Sequence, residues 1–505
     1  MNFRKFTAIG LACALAAAAF TGCGKKDGKS SEPDGKIEQT DYYNAQHEET
    51  GWEWGNVEIV GGGFVPNVIY NPTEEGLAYA RTDIGGAYKL NKDTNRWECI
   101  TDFIGGDDWN LMGIESIATD PVEPNRLYLA AGTYTTGSGA VLVSDDYGEN
   151  FMKVDLPFGN GGNEVGRGAG ERLQVDPNDN SIIYFGTRNA GLYRSVDYGR
   201  TWNKVESFPT DGGYTESGYS VGLTFVAFDK ASSESGNATK TIFVGAAKNS
   251  GNYIYRSDDA GETWNEIENP MSEKAQNNSR LKPVQGEVSS DGYLYTTWSY
   301  KVGPNEATQG AVQKYDIKEG KWEEITPDLI YTCGYSGLSV NPGDPQNIVV
   351  TTLCLWGVVD NVFVTYDGGK TWDSFWDPDT EEANYKIDIS ASEWLDWQGQ
   401  LKLGWWMTGV AINPFDPDEI MYGTGATIFG TDNLTKISSE PVNLSVRAMG
   451  IEETAIFDFV SPNYLDEDTP ELYSIMGDIY GFRHDDVSKA VSYTHLRAHE
   501  TLMNL

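Results

Sequence analysis

The sequence predicts an all-β protein: a seven-bladed β-propeller followed by the start of a second, truncated β-propeller. Three observations predict it. A Ser/Thr-x-Asp-x-Gly-x-x-aromatic motif, the Asp-box, recurs as SDDYGENF (Ser144 to Phe151), SVDYGRTW (Ser195 to Trp202), SDDAGETW (Ser257 to Trp264) and TYDGGKTW (Thr365 to Trp372). A second motif, Asp/Asn-Pro or a weaker version of it followed by an apolar run, alternates with the first. The alternation then restarts after Leu444.

Taken in order, residues 1–22 read as a lipoprotein signal peptide. Arg4 and Lys5 precede an apolar run from Ala8 to Phe20, which is too short to span a bilayer comfortably. Phe20-Thr21-Gly22-Cys23 resembles a bacterial lipobox, so Cys23 is the expected lipidation site. Residues 23–50, polar and containing Gly, Ser and Pro, read as a flexible tether.

Residues 51–444 hold the repeats. With degenerate copies ending at Trp97 and Trp322, the motif aromatics fall at 97, 151, 202, 264, 322 and 372, one supersecondary unit per step. Asp accepts hydrogen bonds from turn amides, Gly takes the positive-φ position, and the aromatic closes the hairpin over the core. The second motif stands at Asn71-Pro72, Asp120-Pro121, Asp176-Pro177, Asn341-Pro342 and Asn413-Pro414, with weaker versions at Asp229 and Asp291. Seven such units close a ring without long open edges. Residues 445–490 repeat the inner strand pair and read as the first blade of the truncated second propeller. Val491 to Thr501, VSYTHLRAHET, resembles a translated transposon-end adapter, so 491–505 read as an artefact and His495 and His499 are set aside as ligands.

Composition narrows the partners. A net charge of −38 argues against nucleic acid, whose phosphates need concentrated Lys and Arg. Fifteen Trp and 12% aromatics suit a neutral, flat-faced ligand. Cys99, Cys333 and Cys354 are too few for a disulfide framework or a zinc site and read as small buried hydrophobes, with a Cys333–Cys354 bridge the open alternative. No metal or cofactor is demanded, and a monomer is expected.

Two aspartates occupy matching points. Leu77 precedes Asp83 in RTDIGGAY by the same interval as Leu472 precedes Asp478 in GDIYGF. Opposed across a cleft, two such carboxylates are what glycoside hydrolysis requires, while a structural turn cap is the alternative for each. Gly85, Gly86 and Gly481 would keep side chains away from a bulky ligand. Candidate sugar-stacking aromatics are Trp109, Trp356, Trp394, Trp397, Trp405 and Trp406, each alternatively a packing residue; Tyr134, Arg167 and Glu171 are candidate rim groups. His484 and Asp485 either orient the Asp478 loop or make a structural hydrogen bond.

Longer strings carry a resemblance: GGGFVPNVIYNPTEEGLAYARTDIGGAY, DLPFGNGGNEVGRGAGERLQVDPNDN, LGWWMTGVAINPFDPDEIMYGTGATIFGTDNL, and GIEETAIFDFVSP followed by GDIYGFRHDD. From about Trp52 to Ala490 the chain resembles glycoside hydrolase family 74, two-propeller inverting endo-β-1,4-glucanases acting on xyloglucan. The resemblance implies Asp83 as general base and Asp478 as general acid, separated by about 6.5–9.5 Å to admit a water. Tyr480 departs from the family's usual Gly and would alter the sugar fit. Together these readings imply an extracellular, lipid-anchored, cell-surface hydrolase of a bacterium that takes xyloglucan as its partner. The alternatives are a non-catalytic glycan-binding propeller lipoprotein and an exo-acting, reducing-end-specific enzyme. The connection from Asp377 to Lys402 holds no obvious long insert, which favours endo action. A sialidase would need an arginine cluster that this acidic chain does not suggest.

Overall fold

The computed structural model describes residues 42–44, 55–270, 281–355, 360–377, 380–396, 401–463 and 469–491. Signal, lipobox, most of the tether and most of the adapter-like tail lie outside these residues; the described end of the tether, residues 42–44, is not a loose linker, because Tyr43 is buried and donates its N–H to Phe151 O at 2.7 Å and its hydroxyl to Asp108 at 2.5 Å.

Short runs rich in Val, Ile, Leu and Tyr, each ended by Gly, Asn or Asp, form short antiparallel strands. They assemble into six four-stranded sheets and one five-stranded sheet, plus a three-stranded sheet near the C-terminal end. The innermost strands of the first seven sheets are Asn67–Tyr70, Ile114–Thr119, Leu173–Val175, Leu223–Phe228, Lys282–Val288, Gly334–Val340 and Val410–Asn413. Each touches the next sheet, and the last returns to the first, closing a propeller ring. The core lies between successive sheets, in apolar clusters such as Tyr128, Val141, Val143, Ile183 and Phe185.

The inner strands surround an axial channel of about 530 Å³, rimmed at one end by Pro72, Pro121, Pro177, Pro342 and Pro414. These are the prolines of the second motif, and the residue before each is a turn acceptor. Asp120 Oδ1 accepts from Val122 and Glu123 N–H at 2.7 and 2.9 Å, and Asn71 Oδ1 accepts from Thr73 and Glu74 N–H, both at 2.9 Å.

The Asp-boxes repeat one network. The Ser or Thr hydroxyl donates to the Asp and accepts the Gly N–H, as in Ser195 Oγ to Asp197 at 2.8 Å and Gly199 N–H to Ser195 Oγ at 2.9 Å. The Asp also accepts the N–H two residues beyond the Gly, 2.9 Å from Thr201 and from Thr371. Two consecutive positions take positive φ, whereas the motif alone suggested only the glycine. Tyr147, Tyr198 and Ala260 stand at φ 62°, 59° and 57° immediately before their glycines. The hydroxyl and carboxylate bonds hold these non-glycine residues in the left-handed region.

The stretch Asp377 to Lys402, expected to be a plain connection, adds a strand. Tyr385–Asp388 pairs parallel with Val442–Val446 and widens the seventh sheet. The three-stranded sheet, Ile456–Val460, Leu472–Met476 and Tyr480–His484, follows, and Phe457 on its first strand, an edge of the sheet, is 75% exposed.

Candidate active site

Asp83 follows the buried strand Ala78–Arg81 in a tight turn, in which Thr82 N–H donates to Gly86 O at 3.0 Å and Gly85 N–H to Thr82 Oγ1 at 2.8 Å. The two glycines have a different use from the ligand clearance expected of them. A Cβ on Gly86, at φ 89°, would meet Thr101 Oγ1 at 2.1 Å, and one on Gly85 would meet Glu453 Cγ at 2.6 Å. They admit the protein's own side chains, because the turn packs against both.

Asp83 is 6% exposed and forms an ion pair with Arg167, Nε to Oδ2 at 2.9 Å. Its other neighbour is the Glu453 carboxyl, whose Oε1 accepts Ile84 N–H at 3.0 Å and whose Oε2 is buried with no donor on it. Burial pushes the Asp83 carboxyl above its ordinary range, opposed by Arg167 and by the neighbouring Glu453 carboxyl. The Arg167 guanidinium lies over the rings of Phe64 and Trp406, 5.1 and 5.6 Å from their centroids, an arrangement that favours a desolvated cation.

Beneath this pair, Arg81 donates to Glu171 Oε1 at 2.8 Å and to Arg167 O at 3.0 Å. Glu171 also accepts from Ser116 Oγ and Ile117 N–H. Glu171, expected as a rim or cleft group, is therefore a buried structural anion that fixes the backbone carrying Arg167. A second buried anion, Glu115, pairs with Arg188 and Arg172; against the pull of burial, those cations hold it down to about 2.

Asp478 lies in the exposed turn between Leu472–Met476 and Tyr480–His484, with Asp478 at φ 63° and Tyr480 at 71°. Its neighbour Ile479 packs in a cluster with Ile59, Trp394 and Phe482. A Cβ on Gly62 would meet Thr454 and Ile479, and one on Gly63 would meet Glu453, so the Val60–Gly63 stretch lies alongside both the Asp83 partner and the Asp478 turn. His484 Nε2 is bonded to Ser474 Oγ at 2.7 Å and Asp485 to Arg483 at 2.7 Å, which makes both structural and leaves the Asp478 turn to other contacts.

The aromatic candidates separate. Trp394 is 4% exposed, donates Nε1–H to Ile59 O at 2.9 Å and packs on Phe482, so it holds sheets together and presents no open face. Trp405 is half-buried against that same cluster. Trp406 sits beside Arg167, its N–H on Asp360 Oδ2 at 3.0 Å and its indole N–H on Asn305 at 3.1 Å. Trp109 is 53% exposed with the Tyr134 ring 6.2 Å away, and Asn163 steadies the Tyr134 hydroxyl. Tyr480 is exposed. Trp356 and Trp397 lie outside the described residues. Among the described residues Cys99, Cys333 and Cys354 form no disulfide, so the Cys333–Cys354 bridge is not made; Cys333 is buried and the other two are partly so. Among the described residues no His, Cys, Asp or Glu cluster suits a metal ion.

Sequence reading missed Glu453 and Phe64. Glu453 stands in GIEET with no motif around it, and Phe64 reads as ordinary core.

Ring, Asp-boxes and buried rim aspartate define an Asp-box β-propeller protein, and comparison with known proteins identifies which kind. The chain is 44% identical over 465 residues to a xyloglucanase from a Paenibacillus species, covering 87% of this chain and 44% of that one. It is 35% identical over 490 residues to an oligoxyloglucan-reducing end-specific xyloglucanase from Emericella nidulans, covering 86% and 58%. A crystal structure of the GH74 xyloglucanase from Xanthomonas campestris superimposes with a TM-score of 0.80 at 37% identity, covering 87% and 61%. No family model matches the chain. The chain belongs to glycoside hydrolase family 74, and it spans about half the length of the curated relatives it matches.

Proposed function

We propose that this chain is part of a glycoside hydrolase that cleaves the β-1,4-glucan backbone of xyloglucan, endo-acting and inverting, with Asp83 as general base and Asp478 as general acid. The observation that carries the proposal is the setting of Asp83: a buried carboxylate at the propeller rim, held by one arginine under an aromatic shelf, in a chain 44% identical to a xyloglucanase. Asp83 would take a proton from the water that attacks the anomeric carbon. Asp478, exposed in its turn, would protonate the departing glucosyl oxygen. Trp109, Tyr134, Trp406 and Tyr480 offer partly exposed rings on which sugar faces could stack.

The expected test result is a fall in the viscosity of xyloglucan early in digestion, with oligosaccharides released and one inverted anomer formed. The assay uses the 505-residue chain and the same chain extended to its relatives' length. D83A and D478A should each lose about 10²–10⁴-fold in turnover while still binding polysaccharide. Oligosaccharide release from reducing ends without a viscosity fall would assign the exo mode of the Emericella relative. Binding without turnover by the extended wild type would make the protein a glycan receptor. The same proposal includes a lipid anchor at Cys23 and a cell-surface location, drawn from the lipobox-like Phe20-Thr21-Gly22-Cys23; mass spectrometry of the mature N-terminus reads the anchor directly.

A further inference from the structure

Two carboxyl groups and one guanidinium meet at the propeller rim, and their charges do not balance if all three ionise. The Asp83 and Glu453 carboxyls are neighbours that act directly on each other, and Arg167 is the cation at Asp83. Glu453 is 3% exposed. Its Oε1 accepts Ile84 N–H, and its Oε2 is buried, with Asp83 as the group it can reach as a donor. A carboxylate pair in direct contact and out of water is strongly disfavoured unless one member keeps a proton.

We infer that Glu453 is a positioning residue that remains protonated and donates its proton in a hydrogen bond to Asp83, so that a single negative charge shared by the two carboxyls faces Arg167. This rests on the proposed role of Asp83 as base. The consequence for that role is geometric. With Arg167 on Oδ2 and the Glu453 proton as a second donor, the orientation of the Asp83 carboxylate is held, and the direction in which it accepts a proton from water is set in advance. Glu453 gives up no proton in the cycle. The water's proton goes to Asp83 and leaves from there to solvent.

The surroundings agree. Burial pushes Glu453 well above the ordinary carboxyl range, reinforced by the Asp83 charge. The other groups facing it do not supply a cation of its own. Tyr88 donates its hydroxyl to Glu452 O at 3.3 Å, Thr82 offers a hydroxyl, and neighbouring Glu452 spends both oxygens on Ile59 and Val60 N–H. Glu453 is also anchored through its backbone, N–H to Gly61 O at 3.2 Å. It comes from the segment joining the ring to the three-stranded sheet, so that sheet and the base are tied by one residue.

Infrared difference spectroscopy of the 505-residue chain, wild type minus E453Q at pH 7, tests the proton directly. A protonated carboxyl carbonyl band in wild type that E453Q lacks is expected; a carboxylate band in its place overturns the inference. E453Q keeps an N–H donor for Asp83 and an acceptor for Ile84, whereas E453A keeps neither. In the xyloglucan assay, kcat of E453Q should exceed that of E453A by at least tenfold with KM little changed. The acidic limb of the E453A pH profile should move to higher pH, because the Asp83 carboxylate has lost a donor. Equal kcat and equal acidic limbs in the two variants overturn it. If D83N is as active as wild type while the protonated band is present, the base assignment fails and the shared-proton pair stands.

Discussion

Arg167 Nε lies 2.9 Å from Asp83 Oδ2, and the same guanidinium covers Phe64 and Trp406. The cation therefore serves two ends at once, balancing a buried carboxylate and carrying an aromatic shelf. It is itself positioned from below, since its backbone carbonyl accepts from Arg81, whose own charge is met by Glu171.

Replacing Arg167 with Met leaves two carboxyls and no cation in that pocket. Breaking a buried pair by removing one partner costs about 3–5 kcal/mol. The deficit should be present at pH 7 and shrink toward pH 4, because the raised Asp83 carboxyl can then be neutralised by a proton. Urea denaturation of wild type and R167M at the two pH values measures both parts.

Glu287 lines the axial channel, where its Oε2 accepts Val340 N–H at 3.0 Å. Burial pushes its carboxyl from 4.5 up to about 7, with that one hydrogen bond opposing. A raised carboxyl binds more protons folded than unfolded, so its contribution to stability falls as pH rises between those two values. E287Q should gain on wild type by up to about 1.4 kcal/mol per pH unit through this window and hold a constant difference above it. Denaturation at half-unit pH steps gives the slope; a flat difference would show that the group ionises as it does in the unfolded chain.

The tryptophans should divide by environment. W394F leaves Ile59 O without its donor inside a packed cluster and should cost roughly 1–3 kcal/mol while leaving polysaccharide binding unchanged. W109A removes an exposed ring and should weaken xyloglucan binding with a stability change within about 0.5 kcal/mol. Affinity electrophoresis and thermal melts on the two variants separate the roles.

In the third Asp-box, Ala260 at φ 57° carries the strain of a left-handed residue. A260G should stabilise by up to about 1 kcal/mol, since glycine enters that region without a Cβ clash. In the second box, D197A removes the acceptor of Ser195 and Thr201 and should destabilise by roughly 1–3 kcal/mol. Chemical denaturation of the two single variants reads both signs.

The Asp-boxes and the Asn/Asp-Pro turns were legible in the sequence because their hydrogen bonds close within four residues, so the residue types needed must stand at fixed spacing. The strand Tyr385–Asp388 was not: its alternation of half-buried Tyr385 and Ile387 with exposed Lys386 and Asp388 runs for only four residues, and the parallel pairing with Val442–Val446 is what makes it a strand. Trp394 and Trp109 read alike as letters, and packing alone told them apart.

By itself the sequence determined the all-β class, the repeat, the turn chemistry and Asp83 as a candidate, since each rests on local hydrogen bonding or on a string read directly. The tertiary structure alone decided what Asp83 is. Its arginine comes from between the second and third inner strands, its carboxyl partner from beyond the seventh sheet, and its aromatic shelf from Phe64 and Trp406. Closing the ring brings these residues together, and in that desolvated setting the charge of one carboxylate depends on neighbours hundreds of residues away.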